Sequence, residues 1–204
     1  MHDDPGESSA RKRLMDAAIL LFTTRGYAAT SVREIVEMAG LTKPALYYHF
    51  QSKEGIYLAI LDELVEVAEH VVVASRSETG TARKRIQAFL THAFDHFQKR
   101  RAEVRMINAV FWGPAQGVPP FDFETFHRKF LDFVRGVVEE GIARGELRPA
   151  DPEVVTLAIV GVLSFNMDLN LAHPEIALGQ DGLRQMLELV FDGLASPAFQ
   201  EKPQ

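Results

Sequence analysis

Apolar residues recur along almost the whole chain with the 3.6-residue period of amphipathic helices. No segment shows sustained alternation of apolar and polar residues, and no Asn-Gly pair marks a hairpin. The pattern therefore predicts an all-α fold. A flexible tail over residues 1–9 precedes the first helix, which ends at Gly26, and a second tail covers residues 198–204.

Two short helices follow the first one and are joined by a tight turn. Ser31 and Glu34 form a capping-box pattern at the start of one helix, and Gly40 ends it. Thr42 is placed to cap the second helix, Lys43–His49. Two short helices in this arrangement, the second with a polar exposed face, present that helix to the major groove of DNA.

Longer helices fill the rest of the chain. Ser52 caps one of them, Asp151 caps a strongly apolar one, and the last covers about Gly182–Leu194. The pattern predicts a three-helix DNA-binding domain with a helix-turn-helix over residues 10–56. It also predicts a helical ligand-binding and dimerisation domain over residues 57–197.

Charge changes this picture only locally. The 204 residues carry a formal net charge of −6, which argues against a protein that coats nucleic acid by neutralising many phosphates. Residues 11–53 include seven basic and three acidic side chains, a local net charge of +4, so the rest of the chain carries −10. The basic residues are Arg11, Lys12, Arg13, Arg25, Arg33, Lys43 and Lys53.

The composition also excludes some classes of protein. Without cysteine, the chain has no disulfide, thiol catalysis or cysteine-ligated zinc. Its N-terminus is acidic and polar, unlike a signal peptide. The longest apolar stretch, roughly Val154 to Phe165, is shorter than the about 20 residues that span a bilayer. We therefore expect a soluble protein of the cytoplasm.

The second short helix concentrates groups that bind DNA. Lys43 can neutralise a phosphate, and the hydroxyls of Tyr47 and Tyr48 or an N–H of His49 can bond to phosphate oxygens. Thr or Ala side chains can contact a thymine methyl group, and free backbone N–H groups at the helix N-terminus attract an anion. The alternative for one of the two tyrosines is a place partly in the core.

Three segments of this region closely resemble the tetracycline-repressor (TetR) family of bacterial regulators: residues 30–35, 39–50 and 52–54. The match covers about the first 60 residues, and its core is Leu-Tyr-x-His-Phe-x-Ser-Lys-Glu. The resemblance implies an Ω-shaped homodimer of nine or ten helices per subunit, with Lys43–His49 as the recognition helix. Residues 141–149 also look like a junction found before the dimerisation helices of such proteins.

The resemblance extends to individual DNA contacts and places Lys53 on a phosphate. Base preference cannot be carried over, because many relatives have a small residue where this chain has Lys43-Pro44. The residues expected to bind DNA are Arg33, Thr42, Lys43, Pro44, Ala45, Tyr47, Tyr48, His49 and Lys53.

A small helix-turn-helix cannot select an operator as a monomer, so we expect a two-fold partner with recognition helices about 34 Å apart. The helix from Val154 to Leu171 is apolar around most of its circumference, more than one intramolecular face would bury. With the last helix it predicts a four-helix dimer interface; the alternative is a central core helix. The interface residues are Val155, Leu157, Ile159, Val160, Val162, Leu163, Phe165, Leu183, Met186, Leu187, Val190 and Phe191.

The middle of the chain is rich in aromatic residues and contains a Gly/Pro-rich loop, residues 113–120. Mostly apolar clefts with a few polar groups are typical of small-molecule sites, although several of these side chains will belong to the core. The residues expected to bind a ligand are Phe89, His92, Phe97, Met106, Phe111, Trp112, Phe126, Phe130, Phe165 and Asn166.

His92 and His96 are four residues apart on one helix face, a spacing that can hold a metal. Ala93 stands where a zinc protease needs a glutamate, which excludes that class. We expect neither a metal nor a cofactor.

The residues and the resemblance together predict a transcriptional repressor that binds a palindromic operator as a dimer. A small, mostly apolar effector, such as a fatty-acyl or aromatic compound, would release it. The resemblance implies that the effector shifts the helix that starts at Ser52. One alternative is a helical enzyme using His92 or His96, which no nucleophile elbow, phosphate loop or cofactor fingerprint supports. The other is a helical protein-interaction module.

Overall fold

The computed structural model describes residues 5–111 and 117–193. Within these ranges every regular element is a helix, which confirms the predicted all-α fold. The helices are α1 (Pro5–Arg25), α2 (Val32–Ala39), α3 (Lys43–Phe50), α4 (Lys53–Ser75), α5 (Ala82–Lys99), α6 (Arg101–Phe111), α7 (Phe123–Ala143), α8 (Pro152–Ala172) and α9 (Gly179–Asp192).

The first helix is longer than its apolar stripe indicates. It begins at Pro5, so the predicted tail over residues 1–9 is helical from residue 5 onward. Proline suits the first helical position, because its fixed φ matches the helix and its missing N–H would have no partner there. The predicted tail over residues 198–204 lies outside the described residues.

The chain folds as two compact units. The N-terminal unit contains residues 5–68 together with 98–111 and 117–123, and the C-terminal unit contains residues 69–97 and 124–193. The predicted boundary after residue 56 differs from this division, because α4 runs on and α6 returns to the first unit. Periodicity shows that α6 is a helix but carries no information about which helices it packs against.

The core of the N-terminal unit surrounds α1, which contacts α2, α3 and α6. Each of these helices turns one apolar stripe inward. The fully buried side chains include Leu14 and Ala18 of α1, Leu46 of α3, Ile56 of α4 and Met106 of α6. Neither short helix is long enough to be stable alone, so α2 and α3 depend on packing against this core.

In the C-terminal unit, the segment after α7 caps the start of α5. A carboxylate oxygen of Glu146 accepts a hydrogen bond from the backbone N–H of Ala82 at 2.6 Å. A Cβ on Gly141 would lie 2.5 Å from the Cβ of Ala82, so only glycine allows this approach. The segment that resembles a family junction, residues 141–149, therefore packs against the start of α5 on its way from α7 to α8.

The most apolar helix of the described residues is α8. It begins as predicted, with the Asp151 carboxylate accepting from the Glu153 N–H at 2.9 Å. It is long and apolar enough, by length and composition, to cross a membrane, with a mean hydropathy of 1.7. The prediction that no apolar segment reaches that length is therefore wrong. A core helix of a water-soluble protein meets the same criteria; α8 packs against α9, and its side chains Ile159 and Leu163 are buried.

Candidate DNA interface and ligand-binding residues

The predicted capping devices set the ends of α2. The Ser31 hydroxyl oxygen accepts from the Glu34 N–H at 3.3 Å, and a Glu34 carboxylate oxygen accepts from the Ser31 N–H at 2.8 Å, which confirms the capping box. The hydrogen bonds from the Ser31 hydroxyl and backbone lower the pKa of Glu34. Gly40 ends the helix in the left-handed region at φ 61°.

The recognition helix α3 has one buried face and one exposed face. Leu46 and Phe50 point into the core, whereas Tyr47 and Tyr48 are 49% and 71% exposed. Neither tyrosine is buried, and the half-exposed Tyr47 is the one that fits the alternative of a place partly in the core. Thr42 precedes the helix in extended conformation, but its side chain makes no capping hydrogen bond, so the predicted side-chain cap is wrong and the hydroxyl is left available.

A tight junction links α3 to α4. Gln51 adopts a left-handed conformation at φ 63°, and the Ser52 hydroxyl oxygen accepts from the Gly55 N–H at 2.8 Å. A Cβ on Gly55 would lie 1.9 Å from the carbonyl oxygen of Phe50. Glycine at this position therefore lets the end of α3 lie directly against the start of α4.

The other predicted DNA-binding residues differ in exposure. Lys43 and Pro44 are exposed, whereas Ala45 and His49 are half-buried. The His49 ring lies 5.1 Å from the ring of Tyr48, centroid to centroid. These four residues and both tyrosines come from α3 alone, so one rigid helix positions them.

Most of the basic residues counted between residues 11 and 53 already have partners inside the molecule. Lys43 is the exception: within the described residues it makes no hydrogen bond or ion pair. The ion pairs are Arg11 with Glu63, Lys12 with Asp16, Arg25 with Glu34, and Arg33 with Glu37. The local balance of +4 therefore overstates the charge available to phosphates.

Arg13 supports the helix-turn-helix, a structural role that sequence reasoning missed. Its guanidinium donates to the carbonyl oxygens of Ala39 and Gly40, at the end of α2. A cation at a helix C-terminus stabilises the carbonyls that have no partner within the helix. The sequence places Arg13 on α1 but gives no sign that α1 reaches the turn before α3.

Lys53 also makes contacts within the molecule. Its ammonium nitrogen lies 2.9 Å from the carbonyl oxygens of both Tyr27 and Thr30, and 4.1 Å from the centroid of the Tyr27 ring. Partial burial lowers its pKa. The expected phosphate contact therefore competes with contacts that the molecule already makes.

Some of the predicted ligand-binding aromatics come together in the C-terminal unit. The fully buried ring of Phe89 on α5 lies 4.7 Å from Phe130 and 4.5 Å from Phe133, both on α7. Phe126 lies 6.5 Å from Phe130. Phe97 is buried and contacts Phe94 on the same helix.

Other predicted ligand-binding residues lie elsewhere. Met106 fills the core of the N-terminal unit, and Phe165 is 59% exposed on α8. Asn166 is buried, and its Oδ1 accepts a hydrogen bond from Nδ2 of Asn170 at 2.7 Å. Its side-chain oxygen is therefore already bonded within α8. The side chains of Phe111 and Trp112 lie outside the described residues.

The histidine pair on α5 shows no metal-binding geometry. His92 is exposed, and the neighbouring Asp95 accepts a hydrogen bond from Gln180 at 3.0 Å. Over residues 5–111 and 117–193, no three histidine or acidic side chains are grouped closely enough to hold a metal ion.

Comparison with known proteins identifies the family. Residues 14–60 match the family model described as bacterial regulatory proteins, tetR family. The helix-turn-helix transcriptional regulator YdgC of Bacillus subtilis, itself uncharacterized, is 35% identical over 187 residues, which cover 78% of this chain and 96% of YdgC. The chain belongs to the TetR family. It is a DNA-binding transcriptional regulator, and α2 with α3 is its helix-turn-helix.

Two further comparisons extend over nearly the full length of the TetR-family fold. The transcriptional repressor KstR2 of Rhodococcus jostii is 28% identical over 209 residues, which cover 96% of both chains. The solved structure of AibR, in complex with isovaleryl coenzyme A and operator DNA, is similar with a TM-score of 0.68. AibR is 20% identical, and the similarity covers 91% of this chain and all of AibR, so it shows the fold alone.

Proposed function

We propose that this TetR-family regulator is a repressor that binds a palindromic operator as a homodimer and is released by a small, mostly apolar effector. The observation that carries the proposal is the exposed face of α3. Lys43, Tyr47 and Tyr48 project from it, while Leu46 and Phe50 fix the helix to the core. The near full-length similarity to the repressor KstR2 supports repression over activation.

The proposed DNA contacts divide by chemistry. Lys43 and the tyrosine hydroxyls bind phosphate oxygens, and Thr42 and Ala45 are short enough to bring α3 close to base edges. Arg33 reaches a phosphate by giving up its ion pair with Glu37, which is solvent-exposed and therefore weak. Pro44 and His49 complete the surface that faces DNA.

The dimer forms through α8 and α9. Each helix has an apolar stripe inside the chain and further apolar residues that stay exposed in the isolated chain. The exposed set is Val154, Leu157 and Phe165 on α8, with Leu189 and Val190 on α9. Covering this face with the same face of a second copy gives the two-fold arrangement that a palindromic operator requires.

The effector is proposed to bind among the aromatic side chains of the C-terminal unit around Phe89 and Phe130. The ligand in the AibR complex, isovaleryl coenzyme A, is an acyl compound, and a fatty-acyl or aromatic compound suits an aromatic lining. Helix α4 starts next to α3 and continues into the C-terminal unit. A change in the position of α4 would therefore couple effector binding to the affinity for operator DNA. A coupling of about 1–3 kcal/mol gives useful release.

A regulator of this kind works on DNA in the cytoplasm and needs no catalytic residues. The similarity of the chain to transcriptional regulators supports this assignment over the helical enzyme considered from the sequence.

Selection from a pool of randomised duplex DNA tests the DNA-binding proposal, with duplexes long enough for two half-sites about 34 Å apart. We expect enrichment of an inverted repeat. Lys43→Ala or Tyr47→Ala should then weaken binding of the selected duplex about tenfold, whereas Leu20→Ala, exposed on α1, should not. Recovery of no repeated half-site would contradict the proposal.

The effector proposal is tested on the selected duplex with a series of acyl-coenzyme A esters and simple aromatic compounds. One of them should lower operator affinity about 5- to 150-fold. If every compound leaves the affinity unchanged, the proposed effector class is wrong while DNA binding stands.

A further inference from the structure

Lys53 is the first residue of α4 and lies where a cation gains nothing from its own helix. The N-terminus of a helix carries a partial positive charge, which disfavours an ammonium group there. The contacts that offset this cost come from outside α4, from the loop between α1 and α2. That loop is 23 to 26 residues earlier in the chain.

The three N–H donors of the ammonium are all accounted for. One points to the carbonyl oxygen of Tyr27 and one to that of Thr30, each at 2.9 Å. The face of the Tyr27 ring, 4.1 Å away, takes the third side of the ammonium as a cation–π contact. A phosphate would therefore have to displace at least one of these contacts to bind the ammonium.

The loop that Lys53 contacts has its own hydrogen bonds and ring contacts. The Tyr27 carbonyl also accepts from the Thr30 N–H at 3.2 Å, and the buried Thr30 hydroxyl donates to the Gly26 carbonyl at 2.9 Å. The Tyr27 ring packs 5.3 Å from Phe22 and 5.0 Å from Tyr57. The next residue is Ser31, the cap of α2.

Lys53 therefore connects the two ends of the helix-turn-helix. Its own position is set by the tight junction after α3, where Gly55 lies against the Phe50 carbonyl. Its ammonium holds the loop that leads directly into α2. We infer that Lys53 is a positioning residue, which orients α2 and α3 toward DNA by bonding to the Tyr27 and Thr30 carbonyls, and not a phosphate-binding residue.

This inference rests on the proposed DNA-binding function and makes a distinct prediction about salt. Each phosphate neutralised by a cation adds about 0.9 to the slope of log affinity against log salt concentration. Loss of a positioning contact lowers affinity and leaves that slope unchanged. The matched control is Lys43, the same residue type without an intramolecular partner among the described residues.

The experiment compares Lys53→Met, Lys53→Gln and Lys43→Met in the full-length protein. Operator affinity is measured by fluorescence anisotropy over a range of salt concentrations, below the unfolding temperature of each variant. We expect Lys53→Met to bind about tenfold more weakly with an unchanged slope. Lys53→Gln should recover part of the affinity, because its amide donates to a carbonyl without a charge. Lys43→Met should lower the slope by about 0.9 for each lost phosphate contact.

A lower slope in Lys53→Met, with no recovery in Lys53→Gln, would overturn the inference alone and restore the phosphate contact. Unchanged affinity in both variants would also overturn it. If Lys53→Met does not fold, the slope of Lys53→Gln decides between the two roles. Absence of selective binding by the unmodified protein would instead overturn the proposed function, and this inference with it.

Discussion

The two units of this regulator use their charged and apolar side chains differently. In the N-terminal unit, cations that look available in the sequence are tied to carboxylates or backbone carbonyls, as with Arg13 at the end of α2. In the C-terminal unit, polar groups such as Asn166 are buried and paired, whereas large apolar side chains such as Phe165 stay exposed on α8.

The difference separates two ways of making an interface. The DNA-binding surface uses a few polar groups on a short helix, and most of the surrounding cations are already paired within the unit. The proposed dimer surface is broad and apolar, and it gains free energy mainly by removing that area from water. DNA binding should therefore be sensitive to geometry, and dimerisation to any buried charge.

The largest effect is expected from a charge on the apolar face. Phe165→Asp would bury a carboxylate in the proposed dimer interface, at a cost of several kcal/mol. The protein should become monomeric and lose operator affinity by at least about 100-fold. Light scattering measures the mass and fluorescence anisotropy the affinity.

Val73→Asp is the matched control, because Val73 is 61% exposed but lies on α4. It should leave both mass and affinity unchanged. A dimeric Phe165→Asp protein would show that α8 is not part of the interface.

A smaller effect is expected from the junction after α3. In Gly55→Ala, the new methyl group meets the Phe50 carbonyl oxygen, so α3 must shift. The free energy of unfolding should fall by about 1–3 kcal/mol, and operator affinity should fall with it. Urea unfolding and anisotropy give the two values.

Gly136→Ala in α7 provides the comparison, because an added Cβ there meets nothing within 4 Å. It should raise the free energy of unfolding by about 0.5–1 kcal/mol, as alanine does inside a helix. Equal effects of the two substitutions would contradict the close contact at Gly55.

The smallest effect concerns the core of the N-terminal unit. Tyr57 is fully buried, and its hydroxyl has no hydrogen-bond partner among the described residues. Burial raises its pKa to about 12. Tyr57→Phe removes this unpaired group and should stabilise the protein by up to about 1 kcal/mol in urea unfolding.

Tyr47→Phe, on the exposed face of α3, should change stability by less than about 0.5 kcal/mol. A clear loss of stability in Tyr57→Phe would mean that its hydroxyl has a partner in solution.

Local signals in the sequence predicted local structure well. The capping box at Ser31, the left-handed Gly40 and the cap at Asp151 were all confirmed, because each depends on residues within about four positions. The predicted start of α1 was wrong, since the helix begins at Pro5, before its apolar stripe. The exposed tyrosine pair on α3 followed from the same short-range pattern.

The ligand-binding residues were predicted less well. Composition suggested one aromatic site in the middle of the chain. Met106, however, lies in the core of the N-terminal unit, and Phe165 is exposed on α8. An apolar residue has the same periodicity whether it faces a core, a cavity or a partner. Among the predicted residues whose side chains the structure describes, only Phe89, Phe126 and Phe130 come together as a ring cluster.

The sequence alone determined the all-α fold, the helix-turn-helix and the family, because these depend on period, caps and a contiguous motif. The tertiary structure decided which cations remain available to DNA. Arg13 and Lys53 reach carbonyl groups more than 20 residues away, and such contacts leave no local pattern. A count of charges along the chain therefore cannot distinguish a lysine that binds phosphate from one that holds the recognition helix in place.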